Sequence, residues 1–199
     1  TRLQGDWGSD VFSSDLIRFA GQRALLVDAV AMGLLRKYLV ENFGITAART
    51  VLTQFGFAHG WRVAESVQSE FDWETKDDWR RAGTRLHTLV GLFRSRAPCP
   101  DPLTSNGATV DASYEAEQHL LHLGVSDDPT CWTICALVSG YLSRTVGEEI
   151  FVLEDLCLGK GDATCHLHAR NRADWKDNHA ADLLFYKEGR LEECLEVSL

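Results

Sequence analysis

The sequence predicts an α+β fold, with a helical N-terminal part packed on a small antiparallel sheet that carries a metal-binding hairpin. Three observations predict it. Apolar residues recur at helical spacing over much of residues 16–93. Two short β-like runs, 149–154 and 163–169, flank a glycine-containing turn, which is typical of a hairpin. Helices that precede strands along the chain are the order expected of an α+β domain.

The first helix is predicted over 16–41. Residues 1–12 are polar and are expected to be extended, and Ser13-Ser14-Asp15 is typical of a helix N-cap. Gly44 is expected to end the helix as the residue after its C-cap.

A second helix is predicted over 45–69, with a kink where Gly56 and Gly60 weaken its middle. Three prolines exclude regular structure across 97–103. The other predicted elements, in order, are a helix over 77–93, a short strand over 108–114, helices over 115–123 and 130–145, the two hairpin strands, and an acidic, helix-prone exit segment over 175–199. The N-cap of the helix over 130–145 is expected at Asp127, Asp128 or Thr130.

Length and charge limit the possible functions. The 199 residues are enough for one domain, or two small ones, with a real core. The net charge of −9 argues against binding of nucleic acid by this chain alone. The absence of a signal peptide or a long apolar run predicts a cytoplasmic protein without disulfides or membrane contact. The first residue is Thr rather than Met, so we expect a segment of a longer or processed chain.

Four side chains form a candidate metal site. Cys131 lies at the start of a predicted helix, Glu154 and Cys157 at the end of one hairpin strand, and Cys165 at the start of the next. Thiolates and a carboxylate are ligands that zinc accepts, and a hairpin end packed on a helix start can bring them together. Because the C-x7-C spacing is looser than paired C-x2-C motifs, ordinary buried thiols remain the alternative.

Five segments resemble one protein family. They are Asp128–Tyr141 (DPTCWTICALVSGY), the run EDLCLGKGDATC over 154–165, Ala173-Asp174-Trp175, AGTRLHTLVG over 82–91 and SYEAE over 113–117. In this order they resemble the N-terminal sensor domain of sigma-54-dependent, aromatic-responsive transcription activators, whose metal-binding half is a vinyl-4-reductase-like domain. The resemblance covers most of the chain.

The resemblance implies a structural Zn²⁺ held by Cys131, Glu154, Cys157 and Cys165. Four protein ligands leave no open position for an activated water, so we expect no enzymatic activity. The remaining cysteines, Cys99, Cys135 and Cys194, match no ligand position and are interpreted as plain thiols. His166 and His168 alternate along a strand and are expected to be exposed or to support the ligands from outside.

The resemblance also implies a division of the chain and its partners. We expect an N-terminal helical and effector-pocket part over 1–125, a zinc-binding part over 126–175, and a linker helix over 176–199 toward an AAA+ ATPase domain. Effector would relieve the restraint that the sensor places on that domain. A homodimer is expected, with the helix over 16–41 contributing. Since no Walker motif or helix-turn-helix is visible, this domain is not expected to contact nucleic acid directly.

The effector pocket is predicted around His87, which corresponds to the family histidine that bonds a phenolic oxygen. Val110 stands where phenol sensors of the family keep a Trp. Loss of an indole removes a hydrogen-bond donor and aromatic volume, so we predict a small aromatic or hydrophobic effector that is bulkier or less polar than phenol. Tyr141 and Trp132 are expected to line or back the pocket, although both could be packing residues and His87 an ordinary core histidine.

Two other functions stay open. A zinc-dependent enzyme or tetrapyrrole-related protein of the vinyl-reductase-like fold would need an open metal position or a redox motif. A purely structural interaction module, as in vesicle-tethering relatives of the fold, would lack an enclosed pocket near His87.

Overall fold

Five α-helices and a four-stranded antiparallel sheet make up the described residues, 16–96, 107–176 and 179–186, of this computed structural model. The helices are α1 (Ala29–Glu70), α2 (Lys76–Leu89), α3 (Tyr114–Leu123), α4 (Trp132–Val146) and α5 (Ala180–Leu183). The strands are β1 (Arg18–Phe19) and β2 (Gln22–Arg23), which form a separate small hairpin, and β3 (Phe93–Ser95), β4 (Ala108–Ser113), β5 (Ile150–Leu156) and β6 (Cys165–Asn171). The predicted α+β class is confirmed.

The larger sheet has the order β3-β4-β6-β5, with every neighbouring pair antiparallel. It therefore joins strands from both sides of the predicted boundary at residue 125, and the three-part division stays a prediction. The β5–β6 pair is the predicted hairpin. Sequence reasoning missed β3, because it extended the preceding helix to residue 93. That helix ends at Leu89, two residues before Gly91 takes a φ of 80°.

The prediction of a helix that starts at residue 16 is wrong. β1 and β2 occupy this stretch, joined by Ala20 and Gly21 with φ values of 45° and 70°. Positive φ at both central residues suits a two-residue hairpin turn and is incompatible with a continuing helix. α1 starts at Ala29, where the Asp28 carboxylate accepts a hydrogen bond of 2.8 Å from the Ala31 N–H. Residues 1–15, with the predicted extended segment and cap, lie outside the described residues.

Gly44 interrupts α1 as predicted, with φ 81° and ψ 163°. The predicted kink at Gly56 and Gly60 is wrong, because Gly44 is the one non-helical position inside α1. The two glycines instead let α1 approach α4 closely. A Cβ atom on Gly56 would collide with the Thr133 carbonyl, and one on Gly60 with the Leu137 carbonyl.

The main core lies between α4 and the sheet. Its buried side chains include Ile134 and Leu142 from α4 and Val152 and Leu167 from the hairpin. The four cysteines of the described residues are also buried and belong to this core. No helix within the described ranges combines the length and apolar character needed to cross a bilayer.

Candidate metal centre and adjacent cavity

Cys131, Glu154, Cys157 and Cys165 converge, with one ligand atom from each within 4.8 Å of all the others. The Sγ atoms of Cys131 and Cys165 are 3.7 Å apart. All three cysteines are buried, and Glu154 is half-buried. This group could hold a metal ion.

A β-bulge places Glu154 and Cys157, the ligands at and just after the end of β5, on one face. Glu154 pairs with Leu167, but the next pair is Leu156 with His166, so Asp155 is an extra residue in β5. Side chains in a regular strand alternate between faces, and an odd spacing would send Glu154 and Cys157 to opposite sides. The extra residue restores the inward direction at Cys157.

A carboxylate from α3 fixes the start of α4 and therefore Cys131. None of the predicted caps is used, because the N-cap residue is Cys131 itself, without a side-chain cap. Glu115 instead accepts hydrogen bonds of 3.0 Å from the N–H groups of both Thr133 and Ile134. An anion at this position satisfies free helix N–H groups and complements the helix dipole.

Arg36 of α1 completes this buried network. Its guanidinium donates to Glu115 at 2.6 Å, to His119 Nδ1 at 3.2 Å and to the Thr130 carbonyl at 2.8 Å. Arg36 and Glu115 are both 97% buried or more by side chain, so their charges must compensate each other. Sequence reasoning missed both residues. The available signal was a charged residue within the apolar pattern of each helix, since charges are seldom buried unless paired.

Backbone and hydroxyl groups surround the sulfur atoms. Cys157 Sγ accepts from the Thr130 N–H at 3.3 Å, and Cys165 Sγ from the Leu158 N–H at 3.4 Å. Hydrogen bonds from the Cys131 and Cys165 thiols, followed by those from Thr130, hold the pKa of Cys157 well below its usual range.

Glu154 is the acidic side chain whose ionised form a bound cation would stabilise most. Burial, with a further contribution from the Cys157 charge, raises the pKa of Glu154 to about 8. Its Oε2 accepts from the Cys131 N–H at 3.2 Å, but the buried Oε1 has no hydrogen-bond partner among the described residues. Three sulfur donors, one carboxylate and an unpartnered oxygen fit the ligand preferences of Zn²⁺.

An apolar cavity lies between α2, α4 and the sheet, and its lining includes Gly83, His87, Phe93, Tyr141 and Leu167. Its volume of about 30 Å³ is far below the roughly 150 Å³ of an engineered cavity that binds benzene. The His87 ring contacts Tyr141 edge-on at a centroid distance of 5.4 Å and Phe93 at 5.7 Å. A small cavity thus lies beside His87, and its role as an effector pocket stays a prediction.

His87 carries an unusual polar atom. Its Nε2 is buried and has no hydrogen-bond partner among the residues that the structure describes. Burial, with a smaller contribution from His59, lowers the pKa of His87 to about 3, so the imidazole is neutral near pH 7. A buried nitrogen without a partner is costly, which makes this atom a candidate ligand contact.

The other predicted effector residues are spread over the core. Tyr141 lines the cavity and donates from its hydroxyl to the Trp79 carbonyl at 2.7 Å. Val110 is not among the lining residues and packs in the core beside Cys165, its β6 partner. Trp132 also does not line the cavity, and packs on α1 with Arg36 over its ring at 3.8 Å. Their effector contacts stay predictions.

The remaining cysteines carry no ligand role in the described structure. Cys135 is buried in α4, outside the four-residue group. Cys99 and Cys194 lie outside the described residues.

Comparisons with known proteins show what class of protein has this fold and site. The profile of the family described as "Activator of aromatic catabolism" matches residues 12–98. The transcriptional regulatory protein XylR of Pseudomonas putida is 25% identical over 181 residues, which are 88% of this chain and 32% of that protein. The phenol regulator MopR of Acinetobacter guillouiae is 27% identical over 166 residues, 81% of this chain and 30% of that protein.

A solved structure shares the fold. The phenol-responsive sensory domain of the transcription activator PoxR, crystallised with phenol, superposes with a TM-score of 0.76 at 26% identity, covering 88% of this chain and 90% of that one. The chain is a sensory domain of transcription activators, not an enzyme. Over most of its length it is similar to the sensory domains of aromatic-responsive activators. It spans about a third of the length of the curated relatives.

Proposed function

We propose that this domain binds a small aromatic or hydrophobic effector in the cavity beside His87 and thereby controls a following ATPase domain of a sigma-54-dependent activator. The observation that carries the proposal is the buried, unpartnered Nε2 of His87 at the wall of an apolar cavity. Ligand sites in proteins are mostly apolar, with few polar groups that fix orientation. The PoxR domain, similar over 88% of this chain, was solved with phenol.

Effector entry requires movement of the lining. A space of about 30 Å³ is too small for an aromatic ring. α2 is the element that we expect to shift, because it packs on α4 through Gly83, where an added Cβ would lie 2.6 Å from the Tyr141 ring. A ligand that binds only the shifted arrangement would favour it over the closed one. This difference between the two packings is the proposed switch.

The chemistry of the cavity favours an effector less polar than phenol. Neutral His87 offers one ring nitrogen to a hydroxyl, and the wall is otherwise largely apolar. Val110, where phenol sensors of the family keep an indole, supplies no second donor. We therefore expect weak discrimination between phenol and hydroxyl-free aromatics of similar size.

Within this proposal Zn²⁺ is structural. Cys131, Glu154, Cys157 and Cys165 would hold it and close all four tetrahedral positions. The ion would join the start of α4, whose later residues Val138 and Tyr141 line the cavity, to the hairpin, which contributes Leu167 to the lining. Zinc would thus fix the position of α4 relative to the hairpin, both of which form walls of the cavity.

We further propose that the chain acts as a homodimer, with residues 176–199 leading to an AAA+ ATPase domain. α1 carries exposed apolar side chains on its first half, including Leu34, Leu35 and Tyr38, which suit a contact between copies. The length of the relatives leaves room for further domains.

A thermal-shift series with phenol and toluene tests effector binding. A ligand at a hundredfold excess over its Kd stabilises by about 2.7 kcal/mol, which raises Tm by several degrees in a chain of this size. We expect both compounds to stabilise the wild type. His87→Leu, which is close to His in size but carries no nitrogen, should abolish any preference for phenol over toluene.

Thr88→Ala is the matched control, since Thr88 follows His87 on α2 but is exposed. It should respond like the wild type. Absence of any Tm shift with a wider panel of aromatic compounds, in folded wild-type protein, would refute the proposal.

A further inference from the structure

We propose a second metal site, for a divalent transition ion such as Ni²⁺, Cu²⁺ or Zn²⁺, on the outer face of the β5–β6 hairpin. Asp155, His166 and His168 each place one ligand atom within 4.8 Å of the other two. They share no residue with the cysteine cluster. Within the described parts of the chain, this group and the cysteine cluster are the two sets of side chains whose ligand atoms all lie within 4.8 Å of one another.

Strand geometry gathers the three side chains. His166 and His168 are two residues apart on β6, so both point to the face opposite to the buried Cys165 and Leu167. Asp155 is the extra residue of the β5 bulge, next to the pair Leu156 and His166, and its side chain is directed outward. Bulges recur at functional sites because they redirect a side chain in this way.

The Asp155 carboxylate lies between the imidazole rings of His166 and His168. Asp155 Oδ1 is 2.9 Å from His166 Nδ1, and Oδ2 is 3.0 Å from His168 Nε2. The rings are nearly perpendicular, at 81°, with centroids 4.4 Å apart. A Cβ atom on Gly107 would come within 2.9 Å of His166 Nε2, so the far side of that ring packs against the backbone. Packing thus helps to hold the His166 Nδ1 toward Asp155.

The donor set selects the class of ion. Two imidazoles and a carboxylate suit Zn²⁺, Ni²⁺ and Cu²⁺, whereas Mg²⁺ and Ca²⁺ prefer oxygen ligands alone. The side chains are 23% to 55% exposed, so an ion can enter from solvent and keep water in its remaining positions. The net charge of −9 favours the approach of cations.

The competing interpretation is a surface hydrogen-bond network without metal. Calorimetric titration with Ni²⁺ of protein that holds a single equivalent of Zn²⁺ separates the two. We expect one added equivalent in the wild type, without the thiolate-to-metal charge-transfer absorption that entry into the cysteine cluster would produce. Asp155→Asn, His166→Gln and His168→Gln should each weaken Ni²⁺ binding more than about tenfold.

His179→Gln is the control, because His179 lies outside the cluster. It should bind Ni²⁺ like the wild type. Thermal melts check that every variant is folded, which is expected because all the substituted residues lie at the surface. No added Ni²⁺ in the wild type, or equal binding by the wild type and the three ligand variants, would overturn the second site.

Discussion

The two faces of the β5–β6 hairpin carry different ligand sets from adjacent residues. Glu154 and Cys165 face the core, while their neighbours Asp155 and His166 face solvent. The inner set is rich in sulfur and mostly buried, and the outer set has imidazole and carboxylate groups and is partly exposed. Strand alternation alone accounts for the separation, and the bulge at Asp155 lets β5 contribute to both faces.

This contrast teaches that burial sets the energetic role of a metal-ligand group. Buried thiols and a carboxylate with an unpartnered oxygen are costly without a cation, so we expect ion binding at the inner face to be coupled to folding. The outer groups are solvated and already satisfy one another with hydrogen bonds. An ion there would add little to stability.

The largest effect is expected for Cys157→Ala on the inner face. The substitution removes a fully buried ligand and should abolish tight zinc binding. Since a structural metal contributes folding energy and net stabilities are about 5–15 kcal/mol, we expect the variant to be largely unfolded. Metal analysis and circular dichroism measure both effects.

Cys135→Ala is the matched control for this variant. Cys135 is equally buried, but lies outside the ligand group. It should keep its zinc and lose only about 1–2 kcal/mol from the missing sulfur contacts. Similar losses in the two variants would contradict a special role for the inner cluster.

Much of the inner set was predictable from sequence, because ligand chemistry and hairpin spacing are local properties. The placement of Cys131, Glu154, Cys157 and Cys165 in one cluster is confirmed as a group that could hold a metal. The His87 cavity was reached through resemblance rather than periodicity. The role of Gly56 and Gly60 was not predicted, because it depends on contacts with Thr133 and Leu137, each 77 residues further along the chain.

The outer set could not be predicted in the same way. His166 and His168 are visible as an alternating pair, but Asp155 joins them only through a register shift between strands. Such a shift depends on pairing rather than on local composition. Likewise, the cap of α4 by Glu115 requires the packing of α3, and the β1–β2 hairpin was hidden by apolar spacing that continued that of α1.

The second largest effect is expected for Glu115→Gln, which should disturb the start of α4 and thereby the inner ligand set. The change leaves the buried Arg36 charge uncompensated and weakens the cap that positions Cys131. Breaking one side of a buried ion pair costs about 3–5 kcal/mol. Urea unfolding measures the loss, and competition with a chelator measures zinc affinity.

Glu117→Gln provides the control, because Glu117 lies on the same helix but is exposed. It should change stability by less than about 0.5 kcal/mol. If Glu115→Gln kept both wild-type stability and zinc affinity, the proposed support of Cys131 by the cap would be wrong.

Deletion of Asp155 should remove the outer ligand group and leave the inner one, with a moderate loss of stability. Without the extra residue, Glu154, Leu156 and Cys157 would follow regular alternation, so both inner ligands would still face the core. We expect zinc to be retained, the outer group to be lost, and stability to fall by about 1–2 kcal/mol, within the range of ordinary substitutions. Zinc content and Ni²⁺ titration report the two faces independently. Loss of zinc would show that the bulge is needed for the inner set.

The smallest effect is expected for Asp155→Asn. Exposed ion pairs contribute about 0–1 kcal/mol, so Tm should change by no more than a few degrees and zinc content should stay constant. The same acid-to-amide change one residue earlier, Glu154→Gln, should instead lower zinc affinity, because an amide replaces the carboxylate ligand. Chelator competition on the two variants measures this difference. Equal zinc affinities would mean that position 154 is not a ligand and that the contrast between the faces rests on the cysteines alone.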